Sequence, residues 1–323
     1  MAVNAPVRLA GIAPEAYRHP RDQQATRALR AVPGFERAVA WMARHGIERY
    51  LYHEHCASSV MVTPRQCGSL HRLLLDVCGT LDVPPPTLFL AQTPIANAFA
   101  FGREKPVLVL QTGLVELLDE QELRGVLAHE LGHVHCGHSV LRLMGLLLVL
   151  AGKLGGLRLG AGDLLSMPLQ VALLDWMRMA EFSADRAAVL GIQDPEAVFS
   201  ALFKLTGGSP KVFEQMDRDE YLRQAELYAP PDDKGIDRWL KGAIETEKTH
   251  PIPVLRAREV LAWGASDEYK AIVAGNYPRR PDGSESGPAA PTCAQCGRTG
   301  TGEFSFCTHC GADLPGDAGV PHA

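Results

Sequence analysis

The sequence predicts an α+β chain in which helix dominates, followed by a linker and a small cysteine-bearing module. Three observations predict it. Apolar residues recur at helical spacing through most of the first 275 residues. Two short β-like runs interrupt that pattern, at 86–92 (PTLFLAQ) and 106–111 (PVLVLQ), each bounded by Pro or Gly. Residues 276–292 (NYPRRPDGSESGPAAPT) are rich in Pro, Gly and Ser and read as a flexible linker. The expected division is a large domain at 1–275, the linker at 276–292, a cysteine module at 293–314 and a polar tail at 315–323.

Composition bounds the function. The 323 residues are 46% apolar and 21% charged, enough to bury a core and to exclude a chain disordered throughout. A formal charge of −5 gives no basis for a nucleic-acid groove. The first twenty residues lack a basic head followed by an apolar run, so no secretory leader is expected. With four of the eight cysteines in two CxxC pairs, a reducing cytosol and metal ligation are expected.

Element by element, residues 21–45 carry Leu29, Val32, Phe35, Val39 and Met42 at helical spacing, interrupted by Pro33 and Gly34. Residues 63–81 place Leu70, Leu73, Leu74, Val77 and Leu81 on one helical side. Asp119 and Glu122 form a D-x-x-E start signal for a long helix whose stripe is Leu123, Val126, Leu127, Leu131 and Val134. Helices are also expected near 195–206, 211–228, 235–247 and 253–264. The apolar runs 141–150 and 164–174 are each far shorter than the roughly 20 residues that span a bilayer. They read as a helical hairpin, with peripheral membrane contact through 141–174 as the other reading.

The strongest local signal is His129-Glu130-Leu131-Gly132-His133. Residues four apart share a helix face, so two imidazoles can meet one ion with Glu130 beside it, an arrangement zinc favours. An HExxHxxGxxH extension fails, because Cys136 and Ser139 stand at its later positions. His135 and His138 project from other sides and are expected to be exposed or locally hydrogen-bonded. A downstream carboxylate is the alternative third ligand. Glu181 and Asp185, four apart, offer one to complete the site and one to accept a hydrogen bond from a ligand imidazole. By itself such an acidic pair is usually a solvated helix face.

Three motifs in order now carry a resemblance: Asn97-Ala98-Phe99-Ala100-Phe101-Gly102, His129–His133, and Arg178–Asp185. Over about residues 60–265 the chain resembles the HtpX-like zinc metalloproteases. These gluzincins also include the CAAX prenyl endopeptidases and BepA-type proteases. The resemblance implies a gluzincin domain with a small edge sheet. It implies His129, His133 and Glu181 as zinc ligands, Glu130 as catalytic acid/base and Asp185 as partner of a ligand. It also implies an edge strand at Asn97, Ala98 and Phe99 that pairs with substrate backbone. Thr249-His250-Pro251 and Arg256 look like the family's later His-Pro element, where His250 could cover or polarise the site and Arg256 support it; a loop-to-helix boundary explains the same residues. Integral-membrane relatives carry N-terminal spans and a longer hairpin, so a soluble branch is favoured here.

Cys293, Cys296, Cys307 and Cys310 form two knuckles separated by ten residues, a spacing that closes four thiolates around a structural zinc. The module resembles a zinc ribbon, expected to recruit a protein partner or substrate; two disulfides are the rival reading. Cys56, Cys67, Cys78 and Cys136 have no pairing spacing and are expected in or near the core. The expected activity is zinc-dependent endopeptidase action on protein or peptide substrates, misfolded or membrane-associated, with one catalytic and one structural zinc. The expected location is cytoplasmic, with peripheral membrane association open. The rival class is a non-catalytic adaptor.

Overall fold

The computed structural model describes residues 6–35, 47–102, 105–145, 167–228 and 252–280, with Ala294 alone beyond them. The four ribbon cysteines, His250, the predicted helix 235–247 and most of the span 141–174 lie outside the described residues.

Helix α1 (Pro20–Arg30) starts with Pro at its first position, and the His19 ring accepts from the Arg21 amide. It ends before Pro33 and Gly34, as the interrupted pattern predicts. Helix α2 (Ile47–Ser58) and the short strand β1 (Val60–Met61) follow. Helix α3 (Gly68–Leu81) begins five residues later than the apolar spacing predicts, because Thr63 and Gln66 first close a turn through reciprocal backbone bonds. Its predicted face, Leu70, Leu73, Leu74, Val77 and Leu81, is buried.

Strands β2 (Thr87–Ala91), β3 (Ala98–Phe101) and β4 (Val107–Gln111) complete a four-stranded sheet of order β1-β2-β4-β3. The pair β2/β4 is parallel and the outer pairs are antiparallel, with Ala98 opposite Leu110 and Phe101 opposite Val107. The two runs that read as strands are thus the sheet's centre, and β1 and β3 are its two edges. Alternation sorts the faces. Phe89, Phe101, Val107 and Val109 pack towards α2, while Leu88, Ala98, Ala100, Leu108 and Leu110 join the main core.

Helix α4 (Thr112–Leu117) leads into α5 (Glu120–His135), which starts as predicted. Asp119 accepts from the Glu122 amide at 2.9 Å, and Glu122 accepts from the Asp119 amide at 2.8 Å, a complete capping box. The buried Glu122 carboxylate also takes Ser200 Oγ at 2.6 Å and Lys204 Nζ at 2.7 Å, tying α5 to the later helix that carries them. Residues 139–145 are helical again. Then come α6 (Met167–Ile192), α7 (Pro195–Gly207), α8 (Pro210–Phe213), α9 (Arg218–Tyr228), α10 (Pro253–Ala265) and α11 (Asp267–Val273). The single helix expected over 211–228 is broken in two, because the Asp217 side chain accepts from the Glu220 amide and starts a new one. Among the described residues, no helix is long and apolar enough to cross a membrane.

Asn276–Arg280 departs from the linker expectation. Arg279 bridges Ile12, the Arg280 amide donates to Gly11 O at 2.8 Å, and Arg280 reaches Asp82 at 3.2 Å. This stretch straps the end of the domain to its N-terminal segment.

Two glycines set the approach of α5 to α6. A Cβ on Gly132 would lie 2.5 Å from Ala187 Cβ and 3.1 Å from Ala184 Cα. A Cβ on Gly191 would lie 2.6 Å from Ala128 Cβ. Each glycine faces an alanine, so the helices pack almost backbone to backbone. Gly132→Ala should gain about 1 kcal/mol in helix propensity but lose about 1–3 kcal/mol to overpacking against α6. The net expectation is destabilisation, read as a lowered thermal midpoint. An unchanged or raised midpoint would contradict this packing.

Candidate metal centre

Close packing of α5 on α6 brings two remote stretches together. His129, Glu130 and His133 lie on the buried part of α5, and Glu181 and Asp185 on the buried part of α6. His129 Nε2 and His133 Nε2 are 3.2 Å apart. Glu181 oxygens stand 3.5 Å from the first and 3.3 Å from the second. A tetrahedral ion bound at about 2.0–2.1 Å separates its donors by about 3.3 Å. The triangle therefore has the size zinc requires, and His129, His133 and Glu181 could hold it.

The surrounding charges also fit a cation. Glu130, Glu181 and Asp185 are three buried carboxylates against two buried guanidiniums, Arg142 and Arg256, an excess of one negative charge. Burial pushes the His129 ring towards neutrality, yet Asp185 and Glu181 outweigh it and raise its pKa to about 9. A setting that holds a proton there favours any cation. His133 moves the other way, lowered by burial and by the nearby Arg142 charge.

Around this triangle each donor is braced. His129 Nδ1 faces Asp185 Oδ1 at 3.0 Å, as expected for an imidazole whose other nitrogen binds metal. Arg256, on α10, grips Asp185 with two bonds of 2.6 and 2.7 Å and meets Glu181 at 2.9 Å. This two-carboxylate clamp gives Arg256 a definite place at the site. Its helix begins after Ile252, which takes the left-handed conformation at φ 52°, rare for a β-branched residue.

Three partners went unread in the sequence. Arg142, which interrupts an apolar run, donates to Glu130 Oε2 at 3.0 Å. His138 is buried, and its Nδ1 lies 3.1 Å from His133 Nδ1. Asp22, on α1, meets His138 Nε2 at 3.1 Å. Burial would raise the Asp22 pKa, but His138 and Arg18 hold it well below the usual carboxylate range. His135 is half-buried and hydrogen-bonded, with Tyr17 Oη at 2.8 Å from its Nδ1. A legible signal was Gly137, the C-terminal stop of α5 at φ 70°.

A cavity of about 500 Å³ opens beside His129 and Glu130. Asn97 and Ala98 line it, with Ile95, Val126 and Leu202 among its apolar walls. Phe99 instead turns its ring to the other face of the sheet, against His55 and Phe101. Among the cysteines, Cys78 and Cys136 are buried as expected, while Cys56 is exposed.

Comparison with known proteins agrees with this geometry. The chain is 38% identical over 260 residues to the plastoglobule-localized metallopeptidase 48, chloroplastic, of Arabidopsis thaliana, covering 80% of this chain and 74% of that protein. It is 32% identical over 175 residues to protease HtpX homolog 2 of Methanosarcina mazei, covering 47% and 60%. It is also 32% identical over 192 residues to the protease HtpX homolog of Moorella thermoacetica, covering 52% and 62%. The chain thus spans about three fifths of the length of these two HtpX homologues. No solved structure matches it. Peptidase family M48 matches residues 64–264, a segment that contains both helices of the triangle, and the chain belongs to that family of zinc metalloproteases.

Proposed function

We propose that the chain is an endopeptidase in which His129, His133 and Glu181 hold a catalytic zinc and Glu130 is the general acid/base. The observation that carries this reading is the triangle of three buried donors at 3.2–3.5 Å, with the Glu130 carboxylate on the same helix. Zinc held there supplies polarisation of the scissile carbonyl and a lowered water pKa, from 15.7 towards about 7.

The chain's own residues do the rest. A Glu130 oxygen accepts a proton as water adds to the carbonyl carbon, then delivers it to the leaving nitrogen as the C–N bond breaks. Arg142 fixes the other end of that carboxylate. Asp185 and Arg256 hold His129 and Glu181 in place, and burial keeps bulk water from the pair. Substrate backbone adds to the sheet edge at β3, through Asn97–Phe99, and an apolar side chain next to the scissile bond enters the cavity. Ala98 and Ala100 keep that edge low where it runs past α5. His250 serves near the oxyanion.

Beyond the large domain, Cys293, Cys296, Cys307 and Cys310 hold a structural zinc in a ribbon that recruits protein partners. Unfolded or membrane-associated proteins are the proposed substrates. Chelation should abolish casein cleavage and added zinc should restore it. The full chain should carry two zinc ions, and Cys307→Ser with Cys310→Ser should leave one by elemental analysis. Cleavage that survives chelation would overturn the catalytic assignment, and an unchanged zinc count would overturn the ribbon.

A further inference from the structure

We propose that His138 and Asp22 are positioning residues for the metal site, fixing the proton position and ring orientation of His133 through a buried relay. This rests on the reading that His133 binds zinc through Nε2. A ring that gives its Nε2 lone pair to a metal carries its proton on Nδ1. His133 Nδ1 is 3.1 Å from His138 Nδ1, so His138 must be the acceptor there. Its own proton then sits on Nε2, 3.1 Å from Asp22 Oδ2. The reverse order would put a proton on His133 Nε2 and remove the lone pair a metal needs. Only one arrangement of protons serves both the metal and the chain of bonds.

Local structure explains why these two rings meet. Helix α5 ends in a Schellman motif: the Gly137 amide donates to Val134 O at 3.0 Å and the His138 amide to His133 O at 2.9 Å. That motif brings the side chains at these two positions into contact, a place usually filled by apolar residues. Here two imidazoles fill it. His133, His138 and Asp22 are 0%, 1% and 0% exposed, so no solvent competes for their polar atoms.

Asp22 is itself saturated. Arg18 Nε donates at 2.8 Å, Ser183 Oγ at 2.7 Å and Thr26 Oγ1 at 3.1 Å. Ser183 lies between Glu181 and Asp185, so the carboxylate that ends the relay is also tied to the helix bearing the third donor. Trp176 packs edge-on against His138 at 5.2 Å and donates Nε1–H to Thr26 at 2.9 Å, fixing the ring plane. His129 has its carboxylate partner directly in Asp185; His133 reaches one through His138. Helix α1 therefore belongs to the metal site although it precedes the matched family segment 64–264.

Two substitutions separate this from packing. In His138→Gln the amide oxygen can accept from His133 and the amide nitrogen can donate to Asp22. In His138→Phe a ring still fills the space beside Trp176, but nothing accepts the proton. Zinc dissociation constants come from chelator competition on the full chain bearing Cys307→Ser and Cys310→Ser, so that one site is read. His138→Gln should bind within about threefold of the parent, and His138→Phe should bind about 10–100-fold more weakly. Phe binding as tightly as the parent, or Gln as weakly as Phe, would overturn the relay. Should the Phe variant not fold, nitrogen-15 NMR of the zinc-loaded parent decides: His138 protonated on Nε2 supports the relay and on Nδ1 overturns it. His129→Ala on the same background is the separate control. Undiminished zinc binding in that variant would sink the ligand assignment itself, whatever the His138 variants do.

Discussion

Glu130→Gln is expected to lower casein cleavage by about 10²–10⁴-fold, the worth of general acid–base catalysis, while leaving zinc content unchanged. The substitution keeps the side chain's shape, and its amide oxygen can still accept from Arg142, now 3.0 Å from Glu130 Oε2. What disappears is an oxygen basic enough to take a proton from water and return it to the leaving amine. The adaptor alternative, with no chemistry at this residue, predicts no change in any rate attributable to the protein. Parallel zinc analysis and rate measurement on purified full chain check the result. Loss of zinc along with activity would mean that Glu130 supports the metal rather than the proton.

Glu181→Ala is expected to cost both metal and stability. Removing one of three protein donors should release zinc from the site and abolish cleavage at stoichiometric metal. It also strips a partner from Arg256, which is 3% exposed and meets Glu181 at 2.9 Å. Breaking a buried ion pair typically costs about 3–5 kcal/mol; here the low end is expected, because both bonds from Arg256 to Asp185 survive. Urea unfolding of the metal-free proteins reads the stability term, and elemental analysis reads the metal. A variant that keeps its zinc would remove Glu181 from the ligand set.

Much of this site was legible because its determinants are local. The HExxH spacing, the Asp119/Glu122 start signal and the four-residue step from Glu181 to Asp185 each follow from helical periodicity. The two β runs were legible because Pro and Gly bound them, although their parallel pairing, with β3 outside both, is a tertiary outcome. What escaped is what long-range packing creates. Asp22 and His138 are 116 positions apart, and no pattern along the chain joins them. Arg142 read as an interruption of an apolar run because its partner, Glu130, lies back across the turn at Gly137. Gly132 and Gly191 carry no signal in the sequence pattern, yet their missing Cβ atoms allow the approach on which the donor triangle depends. The family resemblance implied an edge strand through Phe99, while strand alternation turned its ring to the face away from the cavity.

The most direct measurement is anomalous diffraction at the zinc absorption edge from crystals of the full chain. The account predicts a peak within about 2.0–2.2 Å of His129 Nε2, His133 Nε2 and a Glu181 oxygen. Zinc-replete crystals with no density among those three side chains, or with Glu181 swung away to Arg256 alone, would contradict it.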